Sequence, residues 1–276
     1  MRFIEVRKQE WKRLNRHHHA PTMDTIDEDV TLIDADTGRI VGFQAHIGGQ
    51  YEHLKKMLLR HLRYEVKYDS TGSKTGAARL SGMNYESRVF GNTAPQPLRR
   101  RYGVAESSFA SHFPEAMKIL VEFTKISWDL FQRVAPEEAK AHLALVDGRI
   151  HDDWLLGGAP FTSGILNNSA ALPYHKDSGN IKGTWNNMLA IKTHISGGGL
   201  HIPEYGVCLG VPDGSISGFD GQGAWHGVTP FVKKRPDARR FTIVWYTKSG
   251  MVDSGSAEEE ALKAKRRATK QGEITQ

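Results

Sequence analysis

From Phe161 to Lys248 the chain is cut by Gly, Pro and Asn into short apolar or alternating runs: Met188 to Ile195, Gly206 to Val211, Ser215 to Phe219, Trp225 to Thr229 and Phe241 to Thr247. Runs of this length bounded by turn residues are strands, and short strands at regular spacing close into an antiparallel sandwich or barrel. The residues before them read differently. Val30 to Gly42 alternates on either side of an Asp36-Thr37-Gly38 turn, a hairpin signal, and a helix is expected from Gln50 to about Leu62. Met117, Leu120, Val121, Thr124, Trp128 and Phe131 recur at helical spacing, so Pro114 to Arg133 is an amphipathic helix with proline in its first turn. Such a helix buttresses a sheet. The expected class is therefore α+β with a mainly β core. Strands and supporting helices fill 1–160 and the β core fills 161–250, together one domain over 1–250. A basic helix or tail follows over 251–276, opened by a capping box of Ser256 and Glu259.

A single cysteine, Cys208, excludes a disulfide framework and any thiolate-rich zinc or iron–sulfur site. A metal here must use nitrogen and oxygen ligands. A mononuclear iron that also binds a co-substrate and oxygen needs three protein ligands on one face, and two histidines with one carboxylate supply them. The sequence form is His-x-Asp on one strand and a distant His on another. Two such pairs occur, His151/Asp153 and His175/Asp177. Beyond the second come a strand, a Gly197-Gly198-Gly199 turn, further short strands, and then Trp225-His226-Gly227. That separation is long enough for the chain to circle a small barrel and return beside the first strand. Arg239-Arg240 then opens an apolar strand, where a buried arginine can hold the distal carboxylate of 2-oxoglutarate in bidentate fashion while its keto acid end chelates iron. Taken singly, His226 reads as a rim histidine and Arg240 as a strand-end cation. Order and spacing together favour a metal site made of His175, Asp177 and His226. His151/Asp153, next to a Gly-Gly loop, is expected at the surface, as is the His17-His18-His19 run.

Five stretches carry a resemblance: Phe161-Thr-Ser-Gly-Ile-Leu-Asn-Asn, Tyr174-His-Lys-Asp-Ser-Gly-Asn, Gly198-Gly-Leu-His-Ile-Pro-Glu-Tyr-Gly, Trp225-His-Gly-Val-Thr-Pro and Arg240-Phe-Thr-Ile-Val-Trp-Tyr. Over roughly Phe161 to Lys248 the chain resembles the ten-eleven-translocation/J-binding-protein dioxygenases in their compact form. The resemblance implies a jelly-roll-like double-stranded β-helix buttressed by N-terminal helices. It implies Fe(II) and 2-oxoglutarate as cofactors, with oxygen, and with ascorbate in support. It also implies oxidation of the 5-methyl group of a pyrimidine in DNA, 5-methylcytosine to 5-hydroxymethylcytosine being favoured and thymine to 5-hydroxymethyluracil the alternative. His175, Asp177 and His226 would hold iron and Arg240 the co-substrate carboxylate, with Thr242 beside it. Asn180 would hydrogen-bond the flipped base and Tyr246 would stack on it. Lys248 stands in the substrate region where cytosine-oxidising animal members carry a histidine, which leaves both bases open.

The cysteine-rich zinc domain of those members has no counterpart here, so DNA must be held otherwise. A net charge of +6 and a pI of about 9.3 suit a polyanion. Lys74 and Arg79, the Arg99-Arg100-Arg101-Tyr102 run and the terminal basic helix are the candidates. The rival readings are a hydroxylase of a protein side chain or small molecule, a non-catalytic nucleic-acid-binding barrel, and a sugar-binding or isomerase cupin, which uses more histidines. Apolar runs far shorter than the ~20 residues of a membrane span, and an opening without a leader pattern, give the cytoplasm as the expected address. For a phage protein that is the host cytoplasm, and for a eukaryotic one the nucleus.

Overall fold

The computed structural model describes residues 1–65, 86–168 and 171–272. The loop with Lys74 and Arg79 lies outside them. Strands β1 (Arg2–Val6), β2 (Val30–Asp34) and β3 (Ile40–His46) precede helix α1 (Tyr51–Glu65). β4 (Glu86–Thr93) and β5 (Ala105–Glu106) lead to helices α2 (Ser108–His112), α3 (Pro114–Val134) and α4 (Pro136–Val146). The remaining strands are β6 (Ser163–Asn168), β7 (Asn186–Thr193), β8 (Ile195–Gly197), β9 (Leu200–Ile202), β10 (Val207–Leu209), β11 (Ser215–Phe219), β12 (Gly227–Val228), β13 (Phe231–Lys233) and β14 (Arg239–Tyr246), followed by helix α5 (Ala257–Lys270).

Among the described residues, nine strands form one sheet in the order β1-β2-β3-β11-β7-β14-β6-β4-β5, and β10-β9-β12 form a smaller one. The stretch carrying His175 extends the smaller sheet by pairing with the residue before β12, His175 with His226. From β6 onward the chain passes back and forth between these two sheets: β6 large, the His175 stretch small, β7 large, β9 and β10 small, β11 large, β12 small, β14 large. This alternation is a double-stranded β-helix. The α+β class with a mainly β core follows the expectation.

The side-chain period of two explains how one sheet serves two layers. On β14, Phe241, Ile243 and Trp245 face the helices, where they join Leu189 and Ile191 of β7, Leu58 of α1, and Leu120, Phe123 and Phe131 of α3. The alternate residues of β7, Met188 and Ala190, face inward and pack with Leu200, Ile202 and Leu209 of the smaller sheet and Phe219 of β11. The same alternation turns Arg240, Thr242 and Tyr246 to the inner face of β14. Among the described residues, no helix is long and apolar enough to cross a membrane.

One expected strand is divided, one helix is added, and the expected surface position of His151/Asp153 and the capping box are present. The run Met188 to Ile195 is two strands, because His194 takes φ of +54° and breaks β7 from β8. Helix α4 went unread: its Pro136, Glu137 and Glu138 are start signals, but its weakly amphipathic sequence gives little period to find. It carries His142, which is buried against Phe161 and hydrogen-bonded through Nε2 with the Pro160 carbonyl and the Thr247 hydroxyl group. Burial pushes its pKa down to about 4. His151 and Asp153 lie on the surface, where the Asp153 carboxylate accepts the Ala257 N–H at the start of α5. The capping box of Ser256 and Glu259 is present.

Phe131 joins the two halves of the helix-side core, its ring 5.7 Å from Phe43 and 5.2 Å from Trp185. Phe131→Ala should destabilise the fold by about 3–5 kcal/mol through lost burial and a cavity. The midpoint of denaturant unfolding measures this, and an unchanged midpoint would show that the helical layer is not coupled to the sheet.

Candidate metal centre and co-substrate site

His175 and His226 exchange backbone hydrogen bonds, His175 N–H to His226 O at 2.9 Å and His226 N–H to His175 O at 3.0 Å. Directly paired residues project from one face of a sheet, so the two imidazoles meet, with centroids 4.2 Å apart. The spacing of two places Asp177 on that face as well, and its N–H is fixed on the Gly221 carbonyl at 2.9 Å. Asp177 Oδ1 lies 3.6 Å from His175 Nε2 and 3.9 Å from His226 Nε2. Ligand atoms of the three residues lie within 4.8 Å of one another, the only such cluster found among the described residues.

The tautomers follow from the backbone. His175 Nδ1 sits 2.9 Å from the Pro173 carbonyl and His226 Nδ1 3.1 Å from that of Ala224. A carbonyl only accepts, so each Nδ1 donates its proton there, which leaves Nε2 as the nitrogen each ring turns toward Asp177. Burial, then the neighbouring His175, holds the His226 pKa down at about 4, which keeps the ring neutral at pH 7. Two imidazole nitrogens and a carboxylate oxygen on one side fit a divalent iron with positions left for other ligands. The side chains of His175 and Asp177 remain 25% and 27% exposed, so that side is reachable from solvent.

The second oxygen of Asp177 accepts from Asn186 Nδ2, and Asn186 Oδ1 in turn accepts from Asn180 Nδ2 at 3.1 Å. Asn186 is a residue that sequence reasoning missed; its one signal is a pair of asparagines opening a buried strand. It aims Oδ1 of Asp177 at the histidines by holding Oδ2. Asn186→Ala should weaken iron affinity about 10–100-fold, the usual cost of losing such a partner. Iron titration of the metal-free protein checks this, and unaltered affinity would remove Asn186 from the site.

Arg240 is 1% exposed. Its Nη2 donates to the Gly198 carbonyl at 3.1 Å and its guanidinium lies 5.4 Å from the centre of the Phe231 ring. Burial lowers its pKa to about 10, which leaves it charged at pH 7. Gly198 has φ of +72°, and a Cβ there would stand 2.7 Å from Arg240 Nε, so the glycine turn is what lets the chain pass the guanidinium. Thr242 shares the inner face, its hydroxyl 3.4 Å from Asn167 Nδ2. Opposite Arg240 in register is Lys192, whose ammonium donates to the carbonyls of Gly197 at 3.0 Å and Gly210 at 2.8 Å. Burial, then Arg240, brings its pKa down to about 8. A lysine inside an apolar run was its only signal in the sequence.

The residues assigned to the base gather on the Asp177 side. Tyr246 is half-buried, and burial followed by the nearby Asp177 carboxylate raises its phenol pKa. The Lys248 ammonium lies 4.8 Å from the centre of the Tyr246 ring, and Asn180 and Lys248 form a backbone bridge. Burial lowers the Lys248 pKa while Asp177 opposes the shift. Asn180 is buried, with its amide donor engaged by Asn186. The His17–His19 run is no solvated loop throughout: His18 stacks on Trp11 with ring centroids 5.5 Å apart.

No family model matches the sequence, and no curated protein matches it. Solved structures do match. NgTET1 in complex with 5mC DNA is 13% identical, over 90% of this chain and 88% of that one, with a TM-score of 0.59. OsALKBH1 is 12% identical over 75% and 97%, with a TM-score of 0.41, and a Pseudomonas putida prolyl-4-hydroxylase is 10% identical over 75% and 92%, with a TM-score of 0.40. The likeness is one of fold. It extends to almost the whole of both chains in the first case, so the N-terminal strands and helices are included in it.

Proposed function

We propose that the protein is an Fe(II)- and 2-oxoglutarate-dependent dioxygenase that hydroxylates the 5-methyl group of a pyrimidine in DNA, with 5-methylcytosine favoured. The observation that carries the reading is the joint arrangement of the His175, Asp177 and His226 ligand atoms with a buried Arg240 inside one double-stranded β-helix. Arg240 would pair with the distal carboxylate of 2-oxoglutarate as a planar fork, with the Thr242 hydroxyl group as a further donor on the same strand face. When bound, iron with 2-oxoglutarate and oxygen supplies the oxidising power for methyl hydroxylation, with succinate and carbon dioxide as co-products. The protein's share is position. Asn186 sets the Asp177 carboxylate, the carbonyls of Pro173 and Ala224 set the histidine rings, and Phe219 packs edge-on against His226 at 4.9 Å.

A methyl group inside the stacked duplex cannot reach ligands that face into a barrel, so the base must leave the helix, at about a few kcal/mol. Tyr246 would offer a ring to replace the lost stacking. Lys248 bears on the choice of base, because an ammonium only donates: it suits a carbonyl oxygen, which keeps thymine as the alternative substrate. The test is mass spectrometry of nucleosides from DNA containing thymine and 5-methylcytosine, after incubation with protein, Fe(II), ascorbate and 2-oxoglutarate. A 5-hydroxymethyl product supports the reading and names the base. Succinate formed without any modified nucleoside would move the substrate away from DNA methyl groups.

A further inference from the structure

We propose that residues 7–19 form a fixed track for the phosphate backbone of duplex DNA beside the metal site, an inference that rests on the DNA reading above. After β1 this segment runs without regular strand or helix across the outside of the two stretches that carry His175 and His226. It is held at several points. Gln9 N–H donates to the Glu204 carbonyl at 2.7 Å, and Tyr174 N–H to the His18 carbonyl at 2.8 Å. The Arg13 guanidinium donates to the Tyr174 carbonyl at 3.0 Å and covers the Trp225 ring at 4.9 Å. Trp11 lies 4.6 Å from Tyr174 and 5.9 Å from Trp225, ring centre to ring centre. Tyr174 and Trp225 are the residues immediately before His175 and His226, so the segment is locked one residue away from two of the three proposed ligands.

The charge of the segment is lopsided: Arg7, Lys8, Lys12, Arg13 and Arg16 against Glu10 alone. Arg7 pairs with Asp36 at 3.2 Å and Arg13 is engaged as described. Lys8, Lys12 and Arg16 are exposed and form no ion pair among the described residues. Lys176, between the ligands His175 and Asp177, also lies 5.7 Å from the centre of the Trp225 ring, but its ammonium is taken up by Glu204 at 3.7 Å and the Gly223 carbonyl at 2.8 Å, so the charge of the track rests on the segment itself. A mobile run of cations is usually a solvated face. A run pinned by an aromatic cluster and three backbone contacts presents its charges at fixed places, and loses little conformational freedom when a partner binds. A regular polyanion is the partner that fits, since phosphates recur along a duplex and are matched by Lys and Arg. The other basic patch lies elsewhere: Arg267 of α5 donates to the Tyr102 carbonyl at 3.3 Å and Glu260 accepts the Val104 N–H, so the Arg100–Tyr102 run and α5 share the β5 edge of the large sheet.

The test uses the full chain with Lys12→Ala/Arg16→Ala and, as a control, Lys118→Ala/Lys125→Ala on the exposed face of α3. Binding to a labelled duplex carrying 5-methylcytosine is followed by fluorescence anisotropy from about 50 to 200 mM salt. Each phosphate contact contributes about 0.9 to the slope of log affinity against log salt, so the strap variant should lose about 1.8 of slope and bind at least about tenfold more weakly at the low-salt end. The control should match the parent, and an unchanged melting temperature would show that both variants are folded. A strap variant with the parent's slope and affinity, in a preparation whose parent binds and oxidises the duplex, overturns the track and leaves the enzymatic reading standing. A parent that binds no duplex at all overturns both.

Discussion

Asp177→Ala should reduce formation of succinate and of hydroxymethylated nucleoside by at least about a thousandfold, because a ligand set of two histidines cannot hold the iron whose charge stabilisation amounts to several kcal/mol, and each ~1.4 kcal/mol is tenfold in rate. His175→Ala should do the same. The fold should survive both changes. In Asp177→Ala the carboxylate goes and leaves two imidazoles that each keep a backbone carbonyl on Nδ1, together with the reciprocal backbone bonds between His175 and His226. Duplex binding should stay within about twofold of the parent, since phosphate contacts supply most of it and lie outside the triad. Metal content after reconstitution, turnover and anisotropy are measured on the same preparation. Iron-dependent turnover in either variant would remove these residues from the metal site, whereas loss of duplex binding along with turnover would point to misfolding.

What the sequence made legible was what a period or a short motif encodes. The resemblance put Thr242 beside Arg240 on one strand face, and the structure has Phe241, Ile243 and Trp245 in the helix-side core, which leaves Arg240, Thr242 and Tyr246 on the opposite face of β14. Two His-x-Asp pairs fitted the spacing, and the downstream strands, the glycine turn, His226 and Arg240 were needed to choose the pair that the fold brings together with His226. Helix α3 begins at the expected Pro114 and ends at Val134, one residue past the expected Arg133. Features set by contacts far apart in sequence were not legible. Asn186 acts on Asp177 because β7 runs beside the ligand stretch, and Trp11 packs at a tilt against Tyr174 because the N-terminal segment passes beside the stretch that carries His175. His194 breaks the run Met188 to Ile195 with a single left-handed residue, which no periodicity announces.

The same distinction explains why the metal ligands are more secure in sequence than the groups meant to read the base. A ligand set is defined by residue type and spacing, but a base-reading amide is defined by which of its atoms remain available. Asn180 shows this. The resemblance assigns it to a flipped pyrimidine, and in the structure its Nδ2 donates to Asn186, whose own Nδ2 donates to the Asp177 carboxylate.

Arg240→Met should raise the KM for 2-oxoglutarate at least about a hundredfold, with iron binding retained. A bidentate guanidinium–carboxylate pair out of water is among the stronger polar contacts, and removing one partner of a buried charged pair costs about 2–5 kcal/mol. Methionine has a similar length and no charge, so it can occupy the same inner-face position between Phe231 and the Gly197–Gly199 turn without demanding the space a branched or aromatic side chain would. Arg240→Lys should not restore affinity, because an ammonium is a point charge without the planar fork, and Lys192 already brings one ammonium to the adjacent strand. A thermal readout separates binding from chemistry. At 2-oxoglutarate about a hundredfold above its Kd the parent gains about 2.7 kcal/mol of stability, and the Met variant at that concentration should gain almost none. A variant that keeps both the parent's KM and its ligand-induced shift would place the co-substrate carboxylate elsewhere, with Lys192 the next cation to test.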